Sequence, residues 1–403
     1  MNLSNDETVQ HPISGTDSKE INLISRVAIE AASASSGGAI RFLAQICPAL
    51  SEANPNITYY LLNRSEQRSQ LPSSLPDNFQ WVQIPDKTAS LPWRLLWLQL
   101  GLPNILKRIH ADVLFAASDV STLRPPCPMV VMVHNFNPFS PFRGEVWGRK
   151  QLARMAIHRW LIRRTAQKAA CAVFVSQWSR QEMIPHLGIP TDQTTIIYHG
   201  VDQGFGAPEE SATFEPTSRF ILVVSEVLEH KNLHRAVEAY CNLVQHTGEQ
   251  LNLVIAGTVT SQPLRNTLEA TLSDRGLLGR VRFAGFLSRD RLSSLYRQAE
   301  LLVFPSLVET FGLPLIEAMA SGLPVVTSNA AAMPEICGEA ASYFDPLDVA
   351  GMTQAMHSVL TDTALRQRLI QTGLERAKTF TWKTSAKCLL HKLEIARSGR
   401  LAN

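Results

Sequence analysis

The stretch ELLVFPSLVETFGLPLIEAMASGLPVVT, residues 300–327, decides how the rest of the chain is read. A short apolar run, 300–304, stops at Pro305. A loop leads into an apolar segment of helical length, Leu313 to Ala320, and a Ser-Gly break precedes a second β-branched run at 323–327. Strand, loop, helix and strand in so short a span form the βαβ unit of a parallel sheet. Pro314 suits the first helical turn, and Thr310 is the expected cap. The amides around Phe311, Gly312 and Leu313 would then lack intrahelical partners and face a cleft, a setting for anions or hydroxyl-rich ligands.

The same alternation extends outward. Strand candidates fall at 21–29, 57–62, 79–84, 112–116, 129–133, 171–175 and 194–198, then at 219–224, 251–256, 281–285, 300–304 and 323–327. Between them lie stripes of helical period, such as Ile40, Leu43, Ala44, Cys47 and Leu50, or Leu233, Ala236, Val237 and Tyr240. Strands alternating with helices predict parallel sheets covered on both faces. A Gly-, Pro-, Ser- and Glu-rich break at 203–218 separates two such series. The expected class is therefore α/β, with two doubly wound Rossmann-like parallel-sheet domains facing a cleft and ligands at the carboxyl ends of the strands. The expected division is a disordered lead (1–20), an N-terminal domain (21–205), a linker (206–218), a C-terminal domain (219–380), and a closing helix with a polar tail (381–403).

Composition narrows the function. The chain has 403 residues, 45% apolar and 18% charged, which excludes whole-chain disorder. Lys plus Arg is 38 against 35 acids, a formal charge of +3, and offers no electrostatic case for nucleic acid. Six scattered cysteines form no CxxC pair, so disulfides and cysteine zinc sites are not expected and a reducing compartment fits. The polar first twenty residues hold no apolar leader, and no run is long enough to span a bilayer. The expectation is a cytoplasmic protein whose membrane contact, if any, is peripheral.

Several side chains could carry chemistry. Glu309 follows a strand, and Glu317 lies in an otherwise apolar helix, where a carboxylate is costly to bury without donors. A vicinal diol such as a ribose would supply two; otherwise Glu309 is a loop residue and Glu317 points to solvent. Lys231 is placed at the start of a helix over 231–245, where a cation opposes the macrodipole unless an anion such as phosphate is held there; the alternative is a solvated lysine. Gly37 and Gly38 open the first helix and allow close approach of a ligand, although such a turn also occurs for steric reasons. His134 ends a strand at the ligand edge, where it could bond a sugar hydroxyl or a phosphate, or simply cap a loop. There is no DxD and no HExxH, so a dedicated metal site is not expected. Residues 143–168 hold eight Lys/Arg and one acid, interleaved with Leu152, Met155, Ala156, Trp160 and Leu161. That pattern suits either an anionic membrane surface or a core-packed helix with a basic face. Residues 91–109 are apolar enough for core or for a second such patch.

These motifs together resemble the family 4 retaining glycosyltransferases of the GT-B fold. The carriers are E309-TFGLPLI-E317, similar to that family's E-x7-E motif, HKN at 230–232, and SGLPVVTSNAAAMPE at 321–335. In the first half they are SSGGAIR (35–41), VHN (133–135), VFVSQWS (173–179) and YHGVD (198–202). The resemblance implies a hexose moved, with retention, from a nucleotide sugar to a glycan or lipid-linked glycan, in surface polysaccharide synthesis. GDP-mannose and UDP-hexoses are the donors it suggests. No cofactor and no metal are implied.

Glu317 would take the ribose, Glu309 the transferred sugar, and Lys231 the diphosphate. Gly37 and Gly38 would line the phosphate and acceptor region, His134 would touch the donor sugar, and Phe311, Gly312 and Leu313 would contribute to the substrate contacts. The chain departs from the pattern at Ser225-Glu226, where many members have Gly-Arg with the arginine on the diphosphate; Ser225 is the donor contact expected there. It departs again at His199, where an asparagine is usual. The rival readings are a nucleotide-sugar epimerase or hydrolase on the same scaffold, and a non-catalytic sugar-nucleotide-binding subunit.

Overall fold

The computed structural model describes residues 24–34, 37–69, 71, 75–139, 149–201, 219–248 and 250–399. The expected lead (1–20), the linker (206–218) and residues 143–148 of the basic stretch lie outside them.

Seven parallel strands form the first sheet: β1 (Arg26–Glu30), β2 (Thr58–Asn63), β3 (Phe79–Gln83), β4 (Val113–Ala116), β5 (Met129–Val133), β6 (Cys171–Phe174) and β7 (Thr194–Ile196). Six form the second: β8 (Phe220–Val224), β9 (Asn252–Ala256), β10 (Val281–Gly285), β11 (Leu301–Phe304), β12 (Val325–Ser328) and β13 (Ala341–Phe344). The orders are β3-β2-β1-β4-β5-β6-β7 and β10-β9-β8-β11-β12-β13. Each is a doubly wound arrangement whose order reverses between the first and fourth strands of its series, and that switch point is where such sheets bind ligands. The central strands β4, β5, β6 and β11 are buried along their whole length, as covering on both faces requires.

The twelve expected strands are present with ends moved by a few residues. The structure adds β13, whose sequence ASYF opens on two residues of poor strand propensity. It forms because β12 offers an edge, pairing Val325 with Ala341 through Ser328 with Phe344.

The closing helix, Trp382–Ser398, packs against the first sheet. Trp382, Leu389, Leu393 and Ala396 share a core with Val27, Phe115 and Leu43 of the helix Gly37–Ala53. The chain thus crosses between the domains twice, and the crossings run side by side. Val201 donates its amide to the Phe380 carbonyl at 3.0 Å, and Val201 bridges Thr381 in parallel. A Cβ at Gly200 would meet the Trp382 nitrogen at 2.2 Å, so only glycine permits this approach.

Polar contacts also join the domains at the cleft. Glu335 Oε1 accepts from the Gln177 amide at 2.6 Å and from the Tyr198 hydroxyl at 2.9 Å, while Oε2 accepts from the Trp178 amide at 2.9 Å. Gln177 begins the helix Gln177–Leu187, so a carboxylate of one domain sits at a helix N-terminus of the other.

Candidate active site

The loop after β11 is shaped by a residue far from it in sequence. Asn232 adopts φ +58° and is wholly buried. Asparagine tolerates this left-handed region better than most residues. Its side-chain amide donates to the carbonyls of Pro305 at 3.0 Å and Pro346 at 2.7 Å. The Leu307 amide adds a bond to the His230 carbonyl at 2.9 Å. These contacts hold the turn Glu229–Lys231 against the β11 loop, and Lys231 Nζ then donates to Glu309 Oε1. Lys231 does not begin the long helix as expected. It lies in a short 3₁₀ turn, and the helix runs Leu233–Thr247 after Asn232 breaks the path.

Lys231 and Glu309 line a cavity of about 330 Å³ between the two sheets. From the C-terminal domain the wall also includes Glu226, Leu228, His230, Val308 and Thr310. From the N-terminal domain it includes Gly38, His134 and Asn135. Among the described residues a Cβ at Gly38 would meet nothing within 4 Å, which leaves that side of the first helical turn open to a ligand. The helix itself starts at Gly37. His134 is placed by its backbone: its amide donates to Asp119 Oδ1 at 2.7 Å, and its carbonyl accepts from Thr310 Oγ1 at 3.1 Å.

Thr310 therefore bridges the domains and does not cap the next helix. The cap position is Gly312, at φ +89°, and Pro314 stands in the first turn of Leu313–Ala320. Phe311, Gly312, Leu313 and Ser225 are not in the cavity wall. The Phe311 ring is buried against His199, with centroids 5.0 Å apart, and against Phe380. The Ser225 hydroxyl is buried with no hydrogen-bond partner among the described residues, while its neighbour Glu226 reaches the wall.

Glu317 faces neither solvent nor the wall. It is 4% exposed, and its donors come from the protein. Arg41 Nη1, from the other domain, lies 2.6 Å from Oε1, and the Tyr296 hydroxyl donates to Oε2 at 2.9 Å. Burial and the adjacent Glu317 charge push the Tyr296 phenol well up, so it stays protonated and donating.

Sequence reasoning missed Arg41, Tyr296, Asp119 and the wall position of His230. Arg41 and His230 lie inside the quoted motifs SSGGAIR and HKN, which are the signal for them. Tyr296 and Asp119 are set by bonds to Glu317 and His134, 21 and 15 positions away, and no local pattern marks them. Among the described residues no group of three or more His, Cys, Asp or Glu is placed to hold a metal ion. All six cysteines are free.

Two profiles match the chain: "Glycosyltransferase Family 4" over residues 36–205 and "Glycosyl transferases group 1" over 208–376. The "Serotype-specific mannosyltransferase WbdA" of Escherichia coli is 32% identical over 226 residues, covering 54% of this chain and 28% of that protein. The chain thus spans well under half the length of this relative. The sucrose-phosphate synthase of Thermosynechococcus elongatus superposes with a TM-score of 0.73 at 17% identity, covering 93% of this chain and 100% of that one. HepE of Anabaena, in complex with UDP and glucose, gives a TM-score of 0.69 at 18% identity, covering 92% and 99%. The chain belongs to the family 4 glycosyltransferases, and its two sheets have the GT-B architecture.

Buried histidines give the site a pH signature. Burial, and secondarily the Lys231 charge, push His230 down to about 4. Burial, and secondarily His134, push His199 down to about 3. Unfolded, both would take a proton near the ordinary 6.5, so acidification from about 6.5 towards 4 favours the unfolded chain through each. Glu30, fully buried at the end of β1 and raised to about 7 chiefly by burial, acts in the opposite sense from about 4.5 to 7. A comparison of variants isolates the histidine effect. Urea unfolding of the His199→Asn protein should lose less stability than wild type between pH 6.5 and 4; an equal loss would contradict the assignment.

Proposed function

We propose that the chain is a retaining, metal-independent hexosyltransferase. It moves a sugar from a nucleotide sugar, GDP-mannose or a UDP-hexose, to a glycan or lipid-linked glycan in surface polysaccharide synthesis. The observation that carries this is the Lys231–Glu309 pair in a cavity walled by both domains, at the carboxyl ends of both sheets. The mannosyltransferase named among the relatives supports the sugar class, and the UDP-bound neighbour supports the nucleotide class.

The chemistry follows from charge. The bond between the anomeric carbon and the diphosphate oxygen breaks, leaving oxocarbenium character on the sugar and negative charge on the diphosphate. Lys231 stabilises that leaving group, and Glu309 beside it faces the developing positive charge. The acceptor hydroxyl forms the new bond on the same face, and its proton passes to the departing diphosphate. His134 contacts the donor sugar from the opposite wall, and the open turn at Gly37 and Gly38 admits the phosphates. Glu317 takes the ribose hydroxyls. Phe311, Gly312 and Leu313 act by fixing the Glu309 loop and the start of the Glu317 helix, and Ser225 positions the strand end that carries Glu226. Closure of the domains excludes water and limits hydrolysis of the donor.

With wild-type enzyme, glycan product should form from one of these donors. Lys231→Ala should lower kcat by roughly 10²–10³, and Glu317→Ala should chiefly raise KM for the donor. Unchanged turnover in Lys231→Ala overturns the assignment. Free sugar with no transfer to acceptor identifies a hydrolase instead, and donor binding without turnover identifies a binding subunit.

The acceptor side suggests a peripheral membrane position at the cytoplasmic face. The helix Arg149–Lys168 exposes Leu152, Ile157 and Trp160 among its arginines. The helix Leu91–Arg108 buries Trp97, Leu98, Leu102 and Leu106 and exposes Trp93, Leu96 and Leu100. Apolar side chains with flanking basic charge match an anionic bilayer. Among the described residues no helix is long and apolar enough to cross one. Sedimentation should show binding to anionic vesicles that weakens with salt and falls in Trp160→Ser; salt-insensitive or absent binding contradicts this placement.

A further inference from the structure

The charge inside the cleft does not suit a diphosphate. Among the ionised side chains of the cavity wall, Glu226 and Glu309 oppose Lys231, and Lys231 is already paired with Glu309. His230 is held neutral at physiological pH by its burial. An incoming nucleoside diphosphate needs a further cation.

Arg41 is placed to supply it. It stands three positions after Gly38 on the helix Gly37–Ala53, hence on the same side as the residue that lines the cavity. Its Nη1 crosses the cleft to Glu317 Oε1 at 2.6 Å, and its side chain keeps 34% exposure against 5% for Glu317. A guanidinium carries five N–H donors, and the bond to Glu317 is the one it makes among the described residues. Glu317 is the carboxylate that the proposed reading assigns to the ribose, and the diphosphate is attached one ribose away.

We propose that Arg41 is the second cation of the nucleotide site, held on Glu317 and transferred to the diphosphate as the ribose hydroxyls replace it on that carboxylate. The exchange conserves hydrogen bonds: the carboxylate trades a guanidinium N–H for hydroxyl donors, and the guanidinium trades a carboxylate for phosphate oxygens, which its fork fits equally well. It also makes closure responsive to the nucleotide, because Arg41 and Glu317 belong to different domains. This inference rests on the nucleotide-sugar reading above.

The test compares wild type, Arg41→Gln and Arg41→Lys for binding of UDP and GDP by calorimetry, and of uridine and guanosine by ligand-observed NMR. Arg41→Gln should weaken the preferred diphosphate by roughly tenfold to a hundredfold. Nucleoside binding should be unchanged or tighter, because the competitor for Glu317 is gone. Arg41→Lys keeps the charge but not the fork. It should show a smaller loss, roughly threefold to tenfold, again confined to the diphosphate, and it carries the comparison if Arg41→Gln fails to fold. Equal losses for nucleoside and diphosphate would show that Arg41 only orients Glu317 and overturn the proposal. So would an unchanged diphosphate affinity in the variants. Wild-type protein that binds neither diphosphate would overturn the nucleotide-sugar reading itself, and this inference with it.

Discussion

Parallel strands share one polarity, and the site depends on that constraint. Each βα connection must leave its sheet at the same edge, so the residues at the ends of β1 and β5 gather at one rim and those at the ends of β8 and β11 at the other, without being close in sequence. Two sheets of the same winding, joined by adjacent crossings at Gly200–Val201 and Phe380–Thr381, turn their rims towards each other. Gly38 and His134 from one rim then share a cavity with Glu226, Lys231 and Glu309 from the other. A hydrophobic core fills each domain, and the cavity between them mixes charged side chains with apolar ones, Phe136, Leu228 and Val308 among them.

Carboxylates organise that space. Glu309, Glu317 and Glu335 are all drawn out of full solvent, and each is matched by donors from elsewhere in the chain, with Ser306 of its own loop adding a bond to Glu309. Lys231 serves Glu309, Arg41 and Tyr296 serve Glu317, and the Gln177 and Trp178 amides with Tyr198 serve Glu335. Two of the three matches cross between the domains. Removing one partner from such a pair leaves an uncompensated charge, which costs more than the pair contributes. The two domains are therefore held in register by carboxylates of the second bonded to donors of the first.

Much of this was legible in the sequence. Alternating β-branched runs and helical stripes gave twelve strands and the doubly wound class, because burial on both faces imposes a strong local pattern. The β11–loop–helix segment marked Glu309 as a cleft residue, since a glutamate following a buried strand has one exit. Contacts between distant residues were not legible. Arg41 and Glu317 are 276 positions apart, and nothing in either neighbourhood points to the other. Thr310 has the chemistry of a cap, yet the backbone turns at Gly312 and frees its hydroxyl for the His134 carbonyl. Lys231 reads as a helix start because Leu233 and its stripe follow closely; the left-handed turn at Asn232 cannot be seen in a hydrophobic pattern. β13 escaped notice because a neighbouring edge, and not its own composition, makes it a strand.

In the proposed complex an activated sugar sits between the domains with its diphosphate at Lys231 and its ribose at Glu317. A crystal structure of the protein with the nucleoside diphosphate of its donor tests this most directly. Phosphate oxygens are expected within hydrogen-bond distance of Lys231 Nζ, and both ribose hydroxyls on the Glu317 carboxylate. A nucleotide bound outside the cleft, or within it but with Lys231 still turned wholly onto Glu309 and away from the phosphates, would contradict it.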